Sequence, residues 1–197
     1  QNVKFSTKDH EEILKYNFKF ARDGCYSDIC FQILHLLFNC YLNKEELEKA
    51  QHIVHNYYYY LQKCFSYERT VVYYIDIAKW FLMSREFLHA VNYYNNAIDI
   101  SLKIDNKGLL IKALYYQAMC YFEMDNYEKS YELANKIMDL MDFVEEDIKK
   151  AKIYHLISVI YLRQNKNDFQ KFRDISYSMY EKNLVEKANE MFDYAEV

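Results

Sequence analysis

The 197-residue chain has no proline, two glycines, 22 tyrosines, 13 phenylalanines and a formal charge of −4. So little proline and glycine argues against a turn-rich sheet protein and for long helices with short connections. The charge is small and no dense block of lysine or arginine occurs, so no nucleic acid is expected on this part alone. No 18-residue apolar run and no signal peptide are visible, so no membrane is expected. Cys25, Cys30, Cys40, Cys64 and Cys120 are an odd set without CxxC spacing, which reads as reduced thiols in a cytoplasmic protein.

In chain order, Ser6 or Thr7 caps a flanking helix over 6–23, with Asp9 placed for a capping box and Gly24 for a left-handed stop. Helices over 26–42 and 44–65 form a first hairpin, and 67–83 with 85–104 a second. Helices over 109–123 and 126–141 form a third, and 146–163 with 168–182 a fourth. A last helix or cap covers 184–196, for about ten helices in all. Asn43, Ser84 and Asp125-Asn126 are the short links inside hairpins. Links between hairpins are expected to be longer, as at Asp105–Gly108, where Gly108 relieves a turn. Phe169 takes the part of Tyr127 two residues late, so Asn165-Lys166-Asn167 carries a small insertion.

The hairpins repeat at an offset of 40 residues. Leu37-Phe38, Ile77-Ala78, Gln117-Ala118 and Ile157-Ser158 align, followed three residues on by Tyr41, Phe81, Tyr121 and Tyr161. Then come Leu47, Phe87 and Tyr127, and after them Ala50, Ala90 and Ser130. Such a period in an all-helical chain means an array of helix pairs. Ala78, Ala90, Ala97 and Ala118 permit close helix approach, while Phe81 and Tyr121 fill the volume between layers.

These residues resemble a tetratricopeptide repeat (TPR), clearest in Tyr74, Ile77, Ala78, Phe81, Phe87, Ala90, Tyr94 and Ala97. The resemblance implies an all-α right-handed superhelix of antiparallel hairpins, one array over 1–197 with repeats at 26–65, 67–104, 109–141 and 146–182. The TPR repeat is about 34 residues and often ends in a proline, which is absent here. Segments such as Phe87–Ile104 and Asp105–Tyr121 also resemble the repeats of Rap/Rgg/PlcR-type regulators of Gram-positive bacteria. That resemblance implies a sensor that binds a re-imported signal peptide, as part of a quorum-sensing transcription regulator whose DNA-binding part is not in this chain. The alternatives are a scaffold for a constitutive protein partner and a Rap-like phosphorelay module.

In such arrays the outward stripe of each first helix would face a ligand. That stripe gives the expected peptide-binding residues His35, Asn39, Asp76, Lys79, Lys112, Tyr115, Met119, Phe122 and His155, with Leu42 beside them. Amides suit a peptide backbone, lysines a carboxylate, and aromatic or Met positions apolar side chains. Only Asn39 and Lys112 match a carboxylate clamp for chaperone tails, and Asp76 would repel a terminal carboxylate.

The remaining constellations are weak. Glu48, His52 and His55 share a helix face but read as solvated residues, and no metal or cofactor is expected. No HExxH, GxSxG or phosphate loop occurs, so no enzyme is expected. In the run Tyr57–Tyr60, Tyr57 should face inward above Leu61, leaving Tyr58 or Tyr59 exposed or in contact with a second subunit, as in a homodimer.

Overall fold

The computed structural model describes the backbone of residues 7–193 and side-chain surroundings within 10–184. The described residues are helical, with no strand: α1 (Thr7–Asp23), α2 (Ser27–Asn43), α3 (Leu47–Lys63), α4 (Tyr67–Met83), α5 (Phe87–Lys103), α6 (Lys107–Glu123), α7 (Tyr127–Met138), α8 (Asp147–Arg163) and α9 (Phe169–Asp193). A short 3-10 turn, Met141–Phe143, follows α7. Two compact units divide the chain, Gln1–Leu109 and Leu110–Val197.

The helices keep time with a shorter clock than the hairpins. Positive φ occurs at Cys25, Glu45, Arg85, Asp105, Asp125 and Asn165, all on one 20-residue grid. At each, two backbone bonds close the preceding helix end. Glu46 N–H donates to Tyr41 O at 2.9 Å and Glu45 N–H to Leu42 O at 2.9 Å; Glu86 to Phe81 at 2.8 Å and Arg85 to Leu82 at 3.0 Å follow suit. This is the Schellman pairing, which satisfies carbonyls that a helix end otherwise leaves bare. Tyr41, Phe81, Tyr121 and Tyr161, the aligned aromatics of the sequence, all supply the far acceptor carbonyl.

Several expectations are corrected by these turns. Neither glycine has positive φ, so Gly24 and Gly108 are not the left-handed residues; Cys25 and Asp105 are. Gly24 instead makes room for Tyr26, whose ring a Cβ at 24 would strike. Gly108 lies inside α6, whose start is capped by Asn106 Oδ1 accepting from Leu109 N–H at 3.0 Å. Links within and between hairpins are alike as far as α6, three residues at 44–46, 64–66, 84–86 and 104–106, whereas the expected longer link between hairpins occurs at 139–146, from α7 to α8. The third hairpin ends early, α7 stopping at Met138, where the 3-10 turn buries Met141. No separate last helix begins at 184, because α9 runs unbroken to Asp193; residues 194–196 and the Ser6 cap lie outside the described residues. The late start of Phe169 holds, since it opens α9 after a five-residue link.

In the first unit, α2 pairs with α3 and α4 with α5, while α1 packs on α2. Ala50, Ala78, Ala90 and Ala97 are fully buried, as close helix approach requires. Phe38 fills the place of the small residue in the first repeat and is itself fully buried. Phe81 stacks on His89 and Tyr93, with ring centroids 5.2 and 5.4 Å away. Glu11 fastens α1: its carboxylate takes Lys15 at 2.6 Å, Lys44 at 3.0 Å and the Tyr41 hydroxyl at 3.3 Å.

In the second unit, small residues again seat neighbouring helices. Ser130 Oγ donates to Ala118 O at 2.9 Å, and Ser176 Oγ to Ala151 O at 2.9 Å. Tyr161 of α8 crosses to α7, its hydroxyl donating to Asn135 Oδ1 at 2.6 Å and its ring tilting against Tyr131.

Candidate functional site

Four of the expected site residues meet in the first unit. Asp76, on α4, has no solvent exposure. Its Oδ2 accepts from His35 Nδ1–H at 2.6 Å and from the Tyr57 hydroxyl at 2.8 Å. Its Oδ1 accepts from Asn39 Nδ2–H at 3.2 Å. The proton on His35 Nδ1 is assigned by its partner, since a carboxylate only accepts. Asn39 also donates to His35 O at 2.9 Å, and its own oxygen takes Lys79 Nζ at 3.4 Å.

This geometry changes the part Asp76 can play. A side chain with no exposed surface does not touch a ligand; it orients those above it. Asn39 is half-buried and both of its N–H groups serve the chain itself. The half-exposed groups are therefore His35, turned so that Nε2 lies away from Asp76, and Lys79. Leu42 is buried and leaves the stripe. Tyr57 joins the cluster from α3, a helix the outward stripe does not include. Its only signal in the sequence is that a buried tyrosine hydroxyl needs a partner. Burial first, and then the Asp76 charge, push its pKa above the usual tyrosine value.

The second unit carries the other five. Lys112, Tyr115, Met119 and Phe122 line one face of α6, all half-buried. Tyr115 lies edge-on to Tyr116 at 5.1 Å, and burial pushes its pKa up to about 12. Phe122 packs on Tyr127 at 5.3 Å, within the α6–α7 turn. His155 is exposed on α8.

Among the described residues no group of three His, Cys, Asp or Glu side chains could hold a metal. Glu48, His52 and His55 are exposed on α3. The five cysteines are unpaired by disulfides. Within the tyrosine run, Tyr57 and Leu61 are buried while Tyr58 and Tyr59 are 47% and 48% exposed. No described helix is long and apolar enough to cross a membrane.

The chain resembles BtubC (BKLC) from P. vanneervenii with a TM-score of 0.74 and 12% identity, over 90% of this chain and 75% of that one. It resembles a putative kinesin light chain from Podosopora anserina, with nearly identical TPR-like repeats, at TM-score 0.66 and 12% identity, over 90% and 88%. MamA matches at TM-score 0.56 and 14% identity, over 92% and 99%. The fold is that of TPR-like helical repeats. At such identities the likeness extends to the fold alone. No family model and no curated protein matches the sequence.

Proposed function

We propose that this chain is a helical-repeat domain, one array along its length, that binds an extended peptide or protein segment and catalyses nothing. The observation that carries the reading is the Asp76 cluster: a buried carboxylate that holds His35 and Asn39 in place beside Lys79 on a half-exposed face. Preorganised polar groups on packed helices are what peptide recognition requires, because little side-chain entropy is then lost on binding. In the second unit, Lys112, Tyr115, Met119 and Phe122 offer a cation with apolar and aromatic surface along one helix face. TPR-like repeats as a fold are built for such binding along a surface.

The narrower reading is a cytoplasmic, homodimeric sensor of a secreted signal peptide, the regulatory part of a quorum-sensing transcription regulator. Its support is the sequence resemblance to Rap/Rgg/PlcR-type repeats. A second reading, a scaffold with a constitutive protein partner, is favoured by the exposed aromatics Tyr16, Phe20, Tyr58 and Tyr59.

Calorimetric titration with a panel of short synthetic peptides tests the proposal. Binding that weakens in Lys79→Ala and Lys112→Ala supports it. No heat with any peptide, together with recovery of one host protein in stoichiometric amount, overturns the peptide reading in favour of the scaffold. A helix-turn-helix in the coding sequence upstream would support the regulator.

A further inference from the structure

Two positions on the 20-residue grid break the rule of the turns. Residues 65 and 145 should carry left-handed residues, yet positive φ is recorded at neither. Both fall between hairpins, at the α3–α4 and α7–α8 joints.

At the first, Cys64 N–H makes an ordinary helical bond to Tyr60 O at 3.0 Å, and Ser66 is extended, capping α4 by accepting from Arg69 N–H at 3.1 Å. The Schellman pair that closes the neighbouring turns is replaced there by a side chain, Arg69 donating to Cys64 O at 2.7 Å. Arg69 also reaches Asp28 at 2.9 Å, but that carboxylate is 62% exposed, and such an ion pair contributes little.

The Asp76 cluster spans this joint, beside a Trp80 Nε1–H to Leu47 O bond at 3.1 Å and the packing of Tyr57 and Tyr58 on Tyr73. The carboxylate belongs to α4, beyond the joint, while its donors His35, Asn39 and Tyr57 belong to α2 and α3, before it. Charge-assisted bonds of this kind are strong and directional, and a buried carboxylate deprived of its donors is costly. The same pattern recurs in the second unit, where the joint lacking a left-handed residue is crossed by the Tyr161–Asn135 hydrogen bond.

We infer that the α3–α4 joint is an adjustable joint which the Asp76 clasp holds closed, whereas backbone locks fix the neighbouring joints. Opening the joint separates the carboxylate from its three donors, so the clasp raises the free energy of opening above what the apolar packing supplies. His35, and Lys79 through Asn39, belong to the clasp and to the half-exposed face alike. An occupant of that face would therefore act on the joint; this consequence rests on the function proposed above, while the joint itself does not.

Hydrogen exchange read by mass spectrometry on the full chain, without any ligand, tests the joint. In Asp76→Asn, the hydrogen-bonded amides within 64–70, those of Cys64, Arg69 and Thr70, should exchange about tenfold faster than in the parent, while those at 44–47, 84–87 and 104–107 stay within about twofold. His35→Gln, which leaves the carboxylate two of its donors, should accelerate the same amides less. That milder variant carries the test should Asp76→Asn fail to fold. Acceleration spread equally over all four joints would make the cluster a general stabiliser and overturn the inference, as would no acceleration at 64–70.

Discussion

The Tyr57 hydroxyl donates to Asp76 Oδ2 over 2.8 Å, and both side chains are fully buried. The tyrosine ring is itself packed against Phe31, Phe38 and Tyr73, with centroids 4.9, 5.9 and 5.1 Å away. Replacing it by phenylalanine keeps that packing and removes only the donor. Tyr57→Phe should therefore lower stability by about 1.5–3 kcal/mol, the range for a lost hydrogen bond to a charged group. The midpoint of urea unfolding measures it; an unchanged midpoint would mean that water or another donor replaces the hydroxyl.

Why the repeat could be read from the sequence, and the cluster only in part, follows from these residues. Packing leaves a periodic trace: Ala78 and Ala118 recur because two helices cross there, and Tyr41, Phe81, Tyr121 and Tyr161 recur at the ends of first helices. The left-handed turns leave no such trace, because Cys25, Glu45, Arg85, Asp105, Asp125 and Asn165 share no residue type and none is glycine. Asp76 sits at helical spacing on the outward stripe, so its place on α4 was legible. Its burial was not, since that depends on Tyr57 arriving from another helix 19 residues away in sequence.

Ala78 tests the packing argument directly. It is fully buried where repeats cross, so a larger side chain there has no space to enter. Ala78→Leu should cost about 1–3 kcal/mol by overpacking. Ala78→Gly, which leaves the crossing open, should cost about 1 kcal/mol through helix propensity. Thermal unfolding of the two variants separates the causes, and a leucine variant as stable as the parent would show a loose crossing.

Acid should loosen α1 through Glu11. Hydrogen bonds from Lys15 and then Lys44 hold its pKa down from 4.5 to about 2. A carboxyl with a depressed folded-state pKa contributes stability above its unfolded value and loses it as pH falls through the folded one. The contribution of Glu11 should thus fade between about pH 4.5 and 2. Glu11→Gln should remove that part of the acid sensitivity and speed hydrogen exchange in α1 at neutral pH. Identical acid profiles for the parent and the variant would refute the assignment.

Alkali should destabilise the fold for the opposite reason. Burial above all raises Cys120 from 9.0, and Tyr115 and Tyr161 from 10.0, each to about 12. With folded values above unfolded ones, the native state keeps protons that the unfolded chain gives up. Stability is then complete below about pH 9 and declines as pH climbs toward 12. The urea midpoint should hold level from pH 7 to about 9 and fall beyond it. Cys120→Ala should make the decline shallower, its onset kept near pH 9 by Cys30 and Cys64, which burial also raises from 9.0. An equally steep decline in the variant would place the main titrating group elsewhere.

The turns offer a paired test of backbone strain. Glu45 is exposed and held at φ 59°, a conformation that costs a residue with a Cβ about 1–2 kcal/mol and glycine almost nothing. Glycine also gains freedom in the unfolded chain, which offsets about 0.5–1 kcal/mol of the relief. Glu45→Gly should therefore stabilise by roughly 0.5–1 kcal/mol, seen as a higher melting temperature. Phe65 occupies the equivalent grid position without positive φ, so Phe65→Gly has no strain to relieve. It adds unfolded-state freedom and removes the Phe65–Tyr67 ring contact at 5.4 Å, and both changes destabilise. Opposite signs at the two positions would confirm that one turn is locked by its backbone and the other is not. Equal stabilisation by both glycines would mean that residue 65 visits the left-handed region after all, and that the joint is built like its neighbours.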